Sequence, residues 1–423
     1  MKKDKENFPY ARKKAKILRL MIPLVVLGMI ATFSPAQGYE IWLTDQSDTA
    51  DKSGGYLYVY DGAQLAANPG QAQPTKKIDL SKEVNSFCKK ETGKAVRRPH
   101  MVFFTKDQKF AVISFLTGQV LFMDASSKQP IGCISVGKNV HAAWPTPDQR
   151  LVIAANIKEK TFIRINTDYS SKNFNFDGQR DVINLKALET GERPDNAPIC
   201  PITESSSTYA FVTLRGGGLL VINVKDTPMK VVSSLNDNQI HPGGCGGVQV
   251  GNTMYVNSGG GWPVAPLAYD VYALNLNGLP NSLSAKLVSS RDTMFADSHG
   301  MVAVGQYLWV VDRAGNNIEI IDTVSHFIVG VINLVGSHSP DPAPDLIGVA
   351  PDNSYVFTNL RGIHPLTGNN KEVNNAKGST PGILVIKVQN NGRGGKVVGV
   401  SGVSNMKNGK ETADPHGIAV RGS

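Results

Sequence analysis

Six self-similar β-rich units, a seventh divided between the two ends of the chain, and a scarcity of helical periodicity together predict an all-β fold, a seven-bladed β-propeller of four-stranded blades. The clearest unit runs from Asp297 to Leu334. In it HGMVAVG, YLWVVD, NIEIID and FIVGVINL are short Val- and Ile-rich runs separated by turn residues such as Gly305-Gln306 and Asp322-Thr323. A four-stranded meander of this kind cannot bury both of its faces alone. Copies stacked face to face around an axis can.

The remaining units follow in chain order. His100 opens one with MVFFTKDQKFAVIS, and His141 opens the next with AAWPTPDQRLVIAAN. Cys200 begins PITESSSTYAFVT, continued by RGGGLLVINV, and Cys245 aligns with His299 without a gap through GGVQVGNTMYVNS. Asp345 begins LIGVAPDNSYVFTN, whose Pro351-Asp352 turn matches Pro147-Asp148. Asp414-PHGIAV then supplies one inner strand, and its partners Tyr39-EIWLTDQ and Gly55-YLYVYDG stand at the other end of the chain. Pairing of the N- and C-terminal strands is therefore expected to close the ring and remove the exposed edge of an open array. The Leu185-KALETG stretch is the one candidate for a helix, and it is short.

Residues 1–38 read as a secretory signal peptide and residues 39–423 as a single propeller domain. Basic residues from Lys2 to Arg19 precede an apolar run from Leu20 to Phe33, and Ser34-Pro-Ala-Gln-Gly38 offers small residues for cleavage. The run is shorter than the roughly 20 residues of a membrane helix. No stable membrane span is expected after cleavage, and the mature protein is expected to be periplasmic or secreted. The leader holds eight basic and two acidic residues, so its loss lowers the formal charge from +9 to +3. At that charge no nucleic-acid partner is expected.

Four cysteines in an exported chain are expected to form two disulfides, with three connectivities open. Cys88 and Cys133 lie shortly before the starts of blades two and three, while Cys200 and Cys245 open blades four and five. Long insertions at 259–268 and 362–381 interrupt blades five and seven between the second and third strands, and 168–197 extends the link from blade three to blade four. In a propeller these connections emerge on one face, so they are expected to gather over one mouth of the channel, where loops carry function.

The residue that opens each unit stands at the start of an inner strand, near the axis. Around the ring these are His416, His100, His141, Cys200, Cys245, His299 and Asp345. Half of the eight histidines and half of the four cysteines thus occupy one repeat position. Imidazole, thiolate and carboxylate converging from different strands make a transition-metal ligand set, with copper preferred and zinc the alternative. The same residues also suit a metal-free hub in which the histidines hydrogen-bond across the channel and Cys200 and Cys245 form a disulfide. Arg215, Arg313 and Arg361 follow the second strands of blades four, six and seven, and with His241 and His364 they are candidates for binding a small anion. Arginines paired with nearby carboxylates are the plainer reading of that rim. No catalytic residue is singled out.

DPHGIAV, APDNSYVFTN, NIEIID and GLLVINV resemble the repeats of exported seven-bladed propellers of the YVTN type, across nearly all of the chain after Tyr39. That broad class includes lactonase-like proteins, the propeller of nitrous oxide reductase, the haem d1 propeller, quinoprotein amine dehydrogenase subunits and copper-containing thiocyanate dehydrogenase. The likeness to its copper members also points toward copper, although the mixed ring here departs from the all-His pattern of nitrous oxide reductase. No haem or nucleotide is expected, because the sequence has no C-x-x-C-H, Walker loop or G-x-G-x-x-G between strand and helix, nor a G-x-S-x-G elbow. Two functions remain in view. One is a periplasmic metal-dependent oxidoreductase acting on a small anionic sulfur or nitrogen compound. The alternative is a non-catalytic propeller that binds a protein or a cell-envelope component through its loop-rich face.

Overall fold

The computed structural model describes residues 38–260, 267–291 and 295–422. Most of the segment read above as a signal peptide and the middle of the 259–268 insertion lie outside these residues.

Seven antiparallel sheets form the blades. Blade one is built as the split unit requires: its inner strand is Pro415–Gly422, followed outward by Tyr39–Asp45, Tyr56–Asp61 and Lys76–Asp79. The ends interlock through Ile41 opposite Val420, Trp42 opposite Ala419 and Leu43 opposite Ile418. Inner strands of the other blades are Pro99–Phe104, Val140–Pro145, Pro198–Thr203, Gly247–Val250, Ser298–Val304 and Pro344–Val349. Blade three differs at its rim. The third strand Thr161–Asp168 pairs with Val182–Asn184 along its first half and with Asn173–Asn175 along its second. The 168–197 insertion therefore widens the blade before returning to the mouth.

Strands buried on both faces read as continuous apolar runs, because each blade packs against two neighbours. Between blades six and seven Trp309, Val311, Ile320, Val356 and Leu384 are all fully buried. Trp309 also donates its indole N–H to the carbonyl of Gly392 at 2.8 Å. Truncating such a side chain to alanine costs about 3–5 kcal/mol.

Two helices were not foreseen. Gly62–Ala67 follows the third strand of blade one, and Glu83–Thr92 follows the fourth. The second has weak apolar periodicity, burying Val84 and Cys88 one turn apart, but it ends conventionally, with Lys89 and Lys90 in the last turn and Gly93 at φ 73°. Its Cys88 is bonded to Cys133 on the outer strand Pro130–Ser135 of blade two. The other disulfide joins Cys200 to Cys245, which settles the connectivity left open by the sequence. The Leu185 stretch forms one short 3-10 turn, Leu185–Leu188.

Candidate functional site

At the position that opens the unit, the inner strand breaks register with its partner in blades one, two, three, four, six and seven. A bulge of this kind re-aims one side chain, and here it turns the opening residue toward the channel. The glycine that follows is needed for close approach: a Cβ on Gly417 would lie 2.6 Å from the carbonyl oxygen of His100, and one on Gly300 2.7 Å from the Cα of Leu346.

Polar residues on the second strands hold the opening residues in place across blade boundaries. Thr44 Oγ1 donates to the carbonyl of His100 at 3.1 Å, Ser114 Oγ to that of His141 at 3.0 Å, and Asn359 Nδ2 to that of Pro415 at 3.1 Å. Asn257 Nδ2 likewise donates to the carbonyl of His299. Sequence reasoning missed this set. Its signal was a Thr, Ser or Asn inside an otherwise apolar second strand, in WLTD, VISF, YVNS and FTNL.

The histidines come together. His100 and His416 stack with ring centroids 3.6 Å apart, and His141 meets His100 edge-on at 4.4 Å. His299 Nε2 lies 2.7 Å from Asp345 Oδ1, and His416 Nε2 stands 3.7 Å from Asp345 Oδ2. The seven residues do not share one centre, however. Six of them form two compact groups, His299, Asp345 and His416 on the one hand and His141, Cys200 and Cys245 on the other, with His100 in neither. The second group holds the disulfide, so in this state it offers no thiolate.

Hydrogen bonds fix which nitrogen of each ring faces the hub. Gln46 Nε2 is committed to Thr367 Oγ1 at 2.9 Å and Asp414 Oδ2 at 3.0 Å, so the amide turns its oxygen toward His100 Nδ1, 3.2 Å away. His416 Nδ1 faces the carbonyl of His100 at 3.2 Å. Both Nδ1 atoms must therefore donate, which leaves Nε2 of each neutral ring with its lone pair free. His100 Nε2 is buried and has no hydrogen-bond partner. Burial, reinforced by the neighbouring rings of His416 and His141, holds His100 well below the ordinary histidine value. Burial likewise lowers His416, and it brings His141 down to about 4.

The charged groups form one buried network. Arg361 bonds Asp345 Oδ2 at 2.6 Å and Asp414 Oδ1 at 2.7 Å, and Arg313 bonds Asp297 Oδ2 at 2.7 Å and Asp345 Oδ1 at 3.3 Å. Asp345 would be raised by burial, but His299, His416, Arg313 and Arg361 outweigh that and hold it well below the usual carboxylate range. His299 shows the converse balance: burial and Arg313 oppose its charge, yet Asp345 and Asp297 raise it above its ordinary value. Three buried carboxylates, Asp297, Asp345 and Asp414, thus face two buried guanidiniums among the described residues. One further positive charge completes the network.

Above the hub lies a cavity of about 250 Å³ whose lining includes His141, His299, Arg215, Arg313, Asp297 and Asn375. The 362–381 insertion reaches it as expected, since Asn375 donates to Asp297 Oδ2 at 2.6 Å and Gly368 accepts from Arg313 at 3.0 Å. Arg313 and Arg361 are saturated by carboxylates and buried. Arg215 bonds Asp195 through Nε at 2.5 Å and keeps its side chain 38% exposed. His241 and His364 are exposed and do not line the cavity, and His241 instead bonds the buried Asp270 at 2.8 Å. The carboxylate pairing of the arginines was anticipated, but its partners were not named, although Asp195, Asp297 and Asp414 each stand a few residues ahead of a hub residue, in DNAPIC, DSH and DPH.

No family model matches the sequence, and no curated protein matches it. Solved structures do. A protein of Lactobacillus plantarum is similar with a TM-score of 0.62 and 11% identity, covering 91% of this chain and 99% of its own. The periplasmic gluconolactonase of Pseudomonas aeruginosa gives a TM-score of 0.59 at 13% identity, with 90% and 99% covered. Hydrazine synthase of Kuenenia stuttgartiensis gives 0.51 at 15%, with 68% and 76% covered. At such identities the likeness establishes the fold. No helix among the described residues is long and apolar enough to cross a membrane.

Proposed function

We propose that this protein is an exported propeller whose hub holds a transition-metal ion, copper before zinc, and that it acts as a periplasmic oxidoreductase on a small anionic sulfur or nitrogen compound admitted by the cavity above. The supporting observation is His100 Nε2, buried without a partner beside the ring of His416, with the Nδ1 atoms of both rings tied to acceptors. A buried nitrogen without a donor costs about 1–3 kcal/mol, and a cation removes that cost. His100, His416, His299 and Asp345 would hold the ion, and Gln46 and the carbonyl of His100 orient the rings in the manner of outer-shell partners. Imidazole ligands suit copper, which supplies one-electron redox chemistry when bound. Arg215, partly exposed beside the cavity, draws in the anion, and Asn375 and Arg313 occupy Oδ2 of Asp297 in the cavity wall.

A second reading has one specific observation in its favour. A proton on His299, between Asp345 and Asp297, completes the charge of the network without any metal, and the propeller is then a binding module. Metal analysis of protein recovered from the periplasm separates the two. Stoichiometric copper that is lost in a His100→Ala/His416→Ala variant supports the metal centre. A metal-free protein whose thermal stability ignores added copper sinks it.

A further inference from the structure

The second donor group in the hub has a different chemistry. Cys200 Sγ and Cys245 Sγ lie 3.6 and 3.8 Å from His141 Nδ1, and the three atoms fall within 4.8 Å of one another. Bonded together, the sulfurs carry no anionic charge. Separated, they become two soft donors on either side of an imidazole already in position. We propose that the Cys200–Cys245 disulfide is a redox gate whose reduction creates a soft metal site, His141 with Cys200 and Cys245, that takes Cu(I).

Three further observations support this assignment. The site is reachable from one side, since Cys245 lines the cavity while Cys200 is fully buried, so an incoming thiolate meets Cys245. Arg215, partly exposed, lines the same cavity, and a cation beside a cysteine favours the thiolate. The other disulfide has a contrasting setting: Cys88 and Cys133 lie in an apolar cluster with Val84, Val96, Phe115 and Leu121, where they tie a helix to a blade. Two thiolates and an imidazole form a soft donor set that suits Cu(I), whereas the group around Asp345 offers nitrogen and oxygen.

The reductant is a dithiol, either a periplasmic dithiol protein or a small one. Its thiolate attacks Cys245 Sγ, the Cys200–Cys245 bond breaks, and Cys200 leaves as a thiolate while a mixed disulfide forms at Cys245. The second thiol of the reductant then displaces Cys245 and becomes part of the reductant's own disulfide. Two electrons pass to the protein, and its two thiols release their protons when Cu(I) binds.

The test uses the folded mature protein. Graded dithiothreitol followed by alkylation and mass spectrometry should open Cys200–Cys245 while Cys88–Cys133 stays bonded and the near-ultraviolet circular dichroism is kept. Anaerobic titration with Cu(I) against a chromophoric chelator should then show one more copper bound by the reduced protein than by the oxidised one. That gain should disappear in His141→Ala and survive in Cys88→Ser/Cys133→Ser. It should also survive in His100→Ala/His416→Ala, which separates it from the ion proposed above. Equal Cu(I) uptake by oxidised and reduced protein overturns the proposal. So does a gain that persists in Cys200→Ser/Cys245→Ser, or a disulfide that opens only on unfolding. Should that double variant not fold, His141→Ala carries the test.

Discussion

Gln46 Oε1 lies 3.2 Å from His100 Nδ1, and this contact, made between blade one and blade two, sets the tautomer of the most buried ring in the hub. Gln46→Leu removes the acceptor and keeps the volume. Metal affinity is expected to fall about 10- to 100-fold, the usual effect of losing an outer-shell partner. Copper titration monitored by thermal shift checks this, with unchanged far-ultraviolet circular dichroism as the control.

Asp345 joins Arg361, Arg313 and His299 in one buried cluster. Asp345→Asn leaves two buried guanidiniums short of an anion, and breaking a buried pair in this way costs about 3–5 kcal/mol. Arg215→Ala removes a partly exposed pair with Asp195, and the expected cost is at most about 1 kcal/mol. Urea denaturation of the two variants should show that order.

Asp45 is fully buried, and desolvation pushes its carboxyl up to about 7 against the hydrogen bonds it accepts from Asp414 and Ser47. A folded value above the unfolded one means that its contribution to stability is complete below about pH 4. The contribution is lost as pH rises toward and through 7. Asp45→Asn keeps an oxygen to accept from the backbone N–H groups of Ser47 and Asp414 and has no proton to lose. Relative to the wild type, the variant should gain stability as pH rises from 4 to 8, read from denaturation midpoints across that range.

The Cys88–Cys133 bond closes a separation of 45 residues, for which chain entropy gives a stabilisation of about 4 kcal/mol. Cys88→Ser/Cys133→Ser should lower the melting temperature. It should also raise amide exchange in Glu83–Thr92 more than in the inner strands, which hydrogen-exchange mass spectrometry resolves.

The blades were legible because strand periodicity and turn chemistry repeat, so one unit such as Asp297–Leu334 identifies the others, and the split unit at the two ends follows from what Pro415–Gly422 lacks. The ring of opening residues was legible for the same reason. Its division into two groups was not, because alignment marks which residue opens a strand and says nothing about which neighbours touch across the channel. The ion pairs of Arg313 and Arg361 were hidden in different ways: Asp297 meets Arg313 within one blade, 16 residues away, whereas Asp414 is 53 residues from Arg361 and meets it only across the boundary between the last blade and the first. The helix Glu83–Thr92 escaped because its burial depends on a sulfur bond and two side chains instead of an apolar stripe.

The strand Pro415–Gly422 brings His416 into the hub and holds Tyr39–Asp45 from the inside. Synthesis reaches it after every other described strand, so a nascent chain carries six whole blades and an unfinished one until then. Neither the stacked imidazole pair nor the sealed circle can exist earlier. Assembly of the chemistry is thereby conditional on translation having passed this strand, and a product released before it would be left open at its seam.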